Sequence, residues 1–169
     1  MAEENQTQAT SNGANGQSAQ QFAMHRIYLK DLSFEAPMGA AAFKKQWTPA
    51  LHQDLSTKTS KISDDLFEAV LTLTVTAKLG EDTAFLIEVQ QAGLFAIKGI
   101  DGPQLAQVLN TLCPQILFPY AREAIDNVAV KGGFPALMLP PINFDALFAQ
   151  AIAQSKAQAE QAKAPAEVN

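Results

Sequence analysis

The chain has 169 residues, 47% of them hydrophobic and 17% charged, enough for one compact domain, because a body of about 130 residues can bury a core large enough to fold. A formal net charge of -5 opposes nonspecific attraction to phosphate backbones or anionic lipid, and no Lys/Arg cluster reverses it locally, so nucleic acid is not expected as a partner. With one cysteine, Cys113, and two histidines, His25 and His52, an intramolecular disulfide is excluded and zinc-ligand spacing is lacking, which fits a reducing, cytoplasmic setting without a bound metal.

Residues 1–21 are rich in Gln, Asn, Ser, Ala and Gly and lack a basic start followed by an apolar stretch, so they are expected to form a disordered polar tail. No apolar run approaches the roughly 20 residues that span a bilayer. From Phe22 to Ala36 the pattern is that of a strand whose parity changes midway. Strict alternation would put Ile27 and Leu29 on one side with Asp31, Ser33 and Glu35, yet Leu32, Phe34 and Ala36 also demand burial. A bulge or a strong twist near Lys30 would reconcile the two halves, since one inserted residue flips every later side chain. Pro37, Gly39 and small residues then make a loop that carries Phe43, Trp47 and Pro49, followed by a short strand from Ala50 to Thr57.

Leu66 to Lys78 gives the clearest strand, with Phe67, Ala69, Leu71, Leu73, Val75 and Ala77 on one side and Glu68, Val70, Thr72, Thr74, Thr76 and Lys78 on the other. The LGED stretch supplies a tight turn. Thr83 to Gln91 returns with Phe85, Ile87 and Val89 inward and Leu86, Glu88 and Gln90 outward. The adjacent acids Asp64/Asp65 and Glu81/Asp82 belong to turns, since neighbours on a strand point apart.

After Gly99 the period becomes helical. Pro103 opens a helix with Leu105, Val108, Leu109 and Leu112; Pro114 starts a second with Ile116, Leu117, Tyr120, Ala121, Ile125 and Val128, ended by Gly132 and Gly133. FPALMLPPI is an extended apolar loop, and Asn143 is expected to cap a last helix bearing Phe144, Leu147, Phe148 and Ile152. The body is thus expected over 22–154, with a flexible Ala/Gln-rich tail over 155–169. Strands followed by helices, without alternation, predict an α+β fold with helices packed on one face of an antiparallel sheet.

No phosphate-cradling loop, nucleophile elbow or Cys/His pairing is found, so no enzyme is expected. Cys113 is expected to be a small buried residue, because a reactive thiol needs an electropositive setting. Apolar residues at the ends of elements, namely Phe43, Trp47, Phe118, Tyr120, Phe134, Leu137, Met138 and Leu139, suggest a groove for extended polypeptide. The acidic row Asp31, Glu35 and Glu88, with Leu86 among the charges, could attract a basic partner or be only a solvated face; composition does not decide between them.

The stretches RIYLKDLSFEAP, TVTAKLGEDTAFLIEVQQAGLF, CPQILFPYARE and GGFPALMLPPINFDALF, in this order, resemble the bacterial protein-export chaperone family SecB over about residues 22–150. The resemblance implies a four-stranded, Greek-key-like antiparallel sheet and a homotetramer, a dimer of dimers with helices between two sheets. It implies an ATP-independent chaperone without cofactor that keeps precursor proteins unfolded in the cytosol and delivers them to the translocation ATPase SecA. Asp31, Glu35, Leu86 and Glu88 match the SecA-docking face. Phe43, Trp47, Phe118, Tyr120, Phe134, Leu137, Phe144 and Phe148 match the client groove, and Ile87, Val89 and Gln91 match positions tied to tetramer assembly. The alternative is an acidic adaptor that bridges a basic partner without general binding of unfolded clients.

Overall fold

The computed structural model describes residues 20–163, with side chains to residue 159, so the expected N-terminal tail lies almost wholly outside the described residues. Four long strands, β1 (Gln21–Glu35), β2 (Ala50–Ser63), β3 (Leu66–Leu79) and β4 (Asp82–Lys98), form one antiparallel sheet in the order β1-β4-β3-β2. β2, β3 and β4 make a meander, and β1 lies beside β4 after a long connection, which is Greek-key topology. Three helices follow: α1 (Gly102–Asn110), α2 (Leu112–Lys131) and α3 (Phe144–Lys163).

The inner sheet face is the core. Leu71, Leu73, Val75, Phe85, Ile87, Val89 and Phe95 are fully buried, and α2 covers them with Leu117, Ala121, Ile125 and Ala129. Those four residues lie at helical spacing on one face of α2, so a single stripe closes over two strands. Pro119 lies within α2. Cys113 is buried in the same core, and burial pushes its thiol up to about 12, which makes it inert as a nucleophile.

The hairpins turn where the acids predict, at Asp64–Asp65 and Gly80–Glu81, and Gly80 takes φ +69°. Two strands extend well beyond their expected ends. β4 runs to Lys98 through Gly93, a residue that reads as a breaker but is needed for packing. A Cβ there would come within 3.0 Å of Leu117 on α2 and would strike the Phe95 ring. β2 continues to Ser63 because pairing with β3 holds an edge strand whose Lys58 and Lys61 show no apolar alternation. α2 starts at Leu112, two residues before Pro114. α3 begins as expected, the Ala146 N–H donating to Asn143 Oδ1 at 3.0 Å. It then runs through Ser155 to Lys163, but every described side chain from Ala149 onward is exposed, so that stretch is helical without packing.

Candidate functional site

Two surfaces carry the candidate residues. On the first, the helix-free face of the sheet, the register decides which side chains meet. β1 pairs Leu29 with Gln91 and then Asp31 with Gln90, leaving Lys30 as the inserted residue. That bulge flips parity as the sequence requires: Ile27, Leu29, Leu32 and Phe34 share the inner face with Ile87, Val89 and Gln91, while Asp31, Ser33 and Glu35 share the outer face with Gln90, Glu88 and Leu86.

Ser33 stands directly opposite Glu88, and Glu35 opposite Leu86. Glu88 is therefore the diagonal neighbour of both Asp31 and Glu35, a separation of about 7–8 Å in an antiparallel pair. The three carboxylates make one continuous patch with half-buried Leu86 at one end. Glu88 accepts a hydrogen bond from Thr74 Oγ1 at 3.2 Å on β3. Among the described residues, Asp31, Glu35 and Glu88 form no ion pair with a cation.

The second surface is apolar and begins where α2 ends. Gly133, at φ +86°, closes α2: its N–H donates to the Val130 carbonyl at 3.0 Å, and the Phe134 N–H to the Ala129 carbonyl at 2.9 Å. This pairing is a Schellman ending, and it drives Phe134 inward. Phe134 meets Phe85 (4.8 Å between ring centroids), Trp47 (5.2 Å) and Phe43 (5.1 Å), and Trp47 also stacks on Phe85 at 6.1 Å. Phe43 lies on the 3-10 turn Gly39–Lys44, is 59% exposed, and caps the cluster from outside. The Lys45–Asp82 ion pair, 2.9 Å long, ties this crossover loop to the start of β4.

The loop after α2 is pinned to the helix. Asp126 Oδ1 accepts the N–H of Leu137 at 2.8 Å and of Met138 at 3.2 Å, and Arg122 donates to the Leu139 carbonyl at 3.3 Å. Leu139 is buried and Leu137 half-buried, whereas Met138, at φ +52°, is 77% exposed. A non-glycine residue in the left-handed region persists only where surrounding contacts hold it, and Asp126 supplies them.

The eight groove candidates thus fall in several places. Phe43, Trp47 and Phe134 come together, with Leu137 on the adjoining loop. Phe118 and Phe144 pack on each other at 6.0 Å near the other end of α2, roughly 20 Å of helix away, and both are core residues. Phe148, half-buried, lies one turn beyond Phe144. Tyr120 is in a separate depression of about 410 Å³ between β1 and α2, beside Leu29, Leu32 and Val128. Ile87 and Val89 are fully buried, and Gln91 donates to the Tyr28 carbonyl at 2.9 Å, so all three lie in the interior of this chain. Sequence reasoning missed Asp126 and Arg122; their spacing of four on a helix followed by a loop rich in unpaired N–H groups was the available signal.

Among the described residues no helix is long and apolar enough to cross a membrane, and no three metal-ligating side chains converge. Fold and surfaces together define a class: an α+β protein with a helix-backed antiparallel sheet, an aromatic cluster at the end of α2 and a carboxylate-lined outer face. Residues 15–155 match the family of the preprotein translocase subunit SecB, and the chain belongs to the SecB family. It is 55% identical over 167 residues to the protein-export protein SecB of Cellvibrio japonicus, covering 99% of this chain and 98% of that one. It is 60% identical over 146 residues to that of Hahella chejuensis (84% and 92%) and 52% identical over 155 residues to that of Pseudomonas aeruginosa (91% and 95%). Among solved structures, a SecB-like chaperone of Mycobacterium tuberculosis in complex with an antitoxin peptide shares the fold at TM-score 0.58 and 15% identity, covering 72% of this chain and 91% of that one. The role of this chain is that of a chaperone in protein export.

Proposed function

We propose that this chain holds precursor proteins unfolded in the cytoplasm without ATP and delivers them to SecA. The observation that carries the reading is the pair of separate surfaces on one sheet, an aromatic cluster on the helix side and an uncompensated carboxylate patch on the other. Phe43, Trp47, Leu137 and Met138 offer apolar contact to an extended client, with Phe134 as the buried floor. The peptide bound to the Mycobacterium tuberculosis relative supports client binding by this fold. Phe118 and Phe144 support the groove from the core, while Phe148 and Tyr120 extend the apolar surface along the helices.

Many weak contacts distributed over a homotetramer, a dimer of dimers, would hold a client through avidity, and slow-folding chains would be captured because they expose apolar segments longest. The unpaired edge of β1, with exposed Met24 and Leu29, supports self-association. Ile87, Val89 and Gln91 influence assembly from beneath, by setting the seat of β1 and α2. Asp31, Glu35, Leu86 and Glu88 dock a basic segment of SecA through charge steering around an apolar centre.

The test is light scattering of several unrelated denatured proteins refolded with the chain and without nucleotide. Suppressed aggregation is expected. A chain that leaves aggregation unchanged yet binds a basic peptide would instead be the acidic adaptor.

A further inference from the structure

The outer sheet face holds a second acidic group that the docking patch does not use. Glu68 on β3 accepts hydrogen bonds from the Tyr28 hydroxyl and, at 2.8 Å, from Lys30 Nζ. Both donors reach across β4 from β1, where Tyr28 stands opposite Ala92, whose small side chain leaves the crossing open. Glu68 is the more shielded partner, its side chain 15% exposed against 43% for Lys30. The Lys30 contact, followed by that of Tyr28, holds the Glu68 carboxyl below the usual glutamate range, so Glu68 is a paired anion.

Lys30 is also the bulge residue, next in sequence to Asp31. Glu68 stands four residues from Thr72, the β3 neighbour of Gln90 in the Asp31 row, or roughly 13 Å along the strand. An extended basic segment spans that distance easily. A bare carboxylate at Glu68 would therefore prolong the patch and let a basic partner slide toward the Arg26 end of β1.

Resting on the docking reading above, we propose that Lys30 is a specificity-determining residue of the acidic face: it silences Glu68, places a cation at the border, and confines a basic partner to Asp31, Glu35 and Glu88. The footprint is then set by a charge that repels, as well as by those that attract.

Two substitutions break the same contact with opposite consequences for charge. Lys30→Met removes the border cation and bares Glu68. Glu68→Gln keeps the shape and the Tyr28 contact but leaves Lys30 unpaired beside Asp31. In calorimetric titration of the full chain with a synthetic Lys/Arg-rich peptide, Lys30→Met is expected to tighten binding severalfold with a steeper salt dependence, and Glu68→Gln to weaken it severalfold. A purely structural clasp would move both variants the same way. Both weakened, both tightened or both unchanged, while Glu88→Lys sharply weakens binding, overturns this inference alone. A wild-type chain that ignores the peptide, or a Glu88→Lys variant that binds it equally, overturns the docking reading and this inference with it.

Discussion

A Cβ at Gly133 would violate two conditions at once, since the residue takes φ +86° and the new atom would lie 3.2 Å from the Phe43 ring. Gly133→Ala is expected to cost about 1–2 kcal/mol for the left-handed backbone alone. The measurement is the urea midpoint, and an unchanged midpoint would mean that α2 ends differently. The same substitution loosens the aromatic cluster, because the Phe134 N–H and ring are placed by that ending. Glu68 makes a separate prediction at this scale. Its carboxyl is held low, chiefly by Lys30 and next by Tyr28, so its contribution is fully present above the ordinary glutamate range and is lost as pH falls through the depressed value. Tyr28 works in the other direction: its hydroxyl is pushed up, first by the bond to Glu68, so its contribution is present below the ordinary tyrosine range and is lost as pH rises through the raised value. Glu68→Gln should therefore flatten the acid limb of a stability-against-pH curve; an acid limb of wild-type steepness would exclude the pair as a source of stability.

β1 shows how much an element reveals before its partners are known. The conflict between Leu32/Phe34 and Asp31/Glu35 was legible as a switch of parity near Lys30, by a bulge or a strong twist, because burial on one face leaves only one consistent parity. The outward acidic row was legible for the same reason, and strand order then added Glu88 as the diagonal neighbour. Less was legible in β4, which reads as ending at Gln91: Ala92 and Gly93 look like a break until α2 is seen to need the space above Gly93. The groove was legible only as a list of apolar residues. Whether Phe118, Phe134 and Phe144 face solvent or core depends on which side α2 turns to the sheet, and an all-round apolar stretch such as ILFPY does not announce that side. The bulge itself carries a prediction for the element. Deleting Lys30 removes the inserted residue and leaves Ile27, Leu29, Leu32 and Phe34 on one parity with Asp31, Ser33 and Glu35 on the other, so both rows keep their faces and the loss is the Lys30–Glu68 contact. A retained cooperative thermal transition with a slightly lowered midpoint is the expected result. Loss of the cooperative transition would show that β1 needs the bulge itself and not only the parity that it sets.

Across the molecule the sheet acts as a partition. Its inner face and the ends of α2 carry Trp47, Phe43 and Phe134, and its outer face carries Asp31, Glu35 and Glu88, so the two proposed activities share a core but no side chain. Single substitutions should therefore separate them. Trp47→Ser removes a ring stacked on Phe85 and Phe134, and a loss of this kind at an apolar contact is expected to weaken capture of a denatured client severalfold while leaving SecA affinity within twofold. Glu88→Lys reverses the central charge of the patch and is expected to weaken SecA binding on the order of tenfold, with the residual binding less sensitive to salt, while aggregation suppression stays at the wild-type level. The order of the strands makes this a demanding experiment. Ile87 and Val89 flank Glu88 on the same strand and point into the core, so a substitution at Glu88 that disturbed the backbone would be felt by α2 and by the seat of β1. Sedimentation of each variant alongside wild type distinguishes the cases. If both activities fall together in a variant whose assembly and melting are intact, the two faces communicate through the sheet and the partition is wrong; if they fall together only when assembly is lost, Glu88 has acted through its buried neighbours.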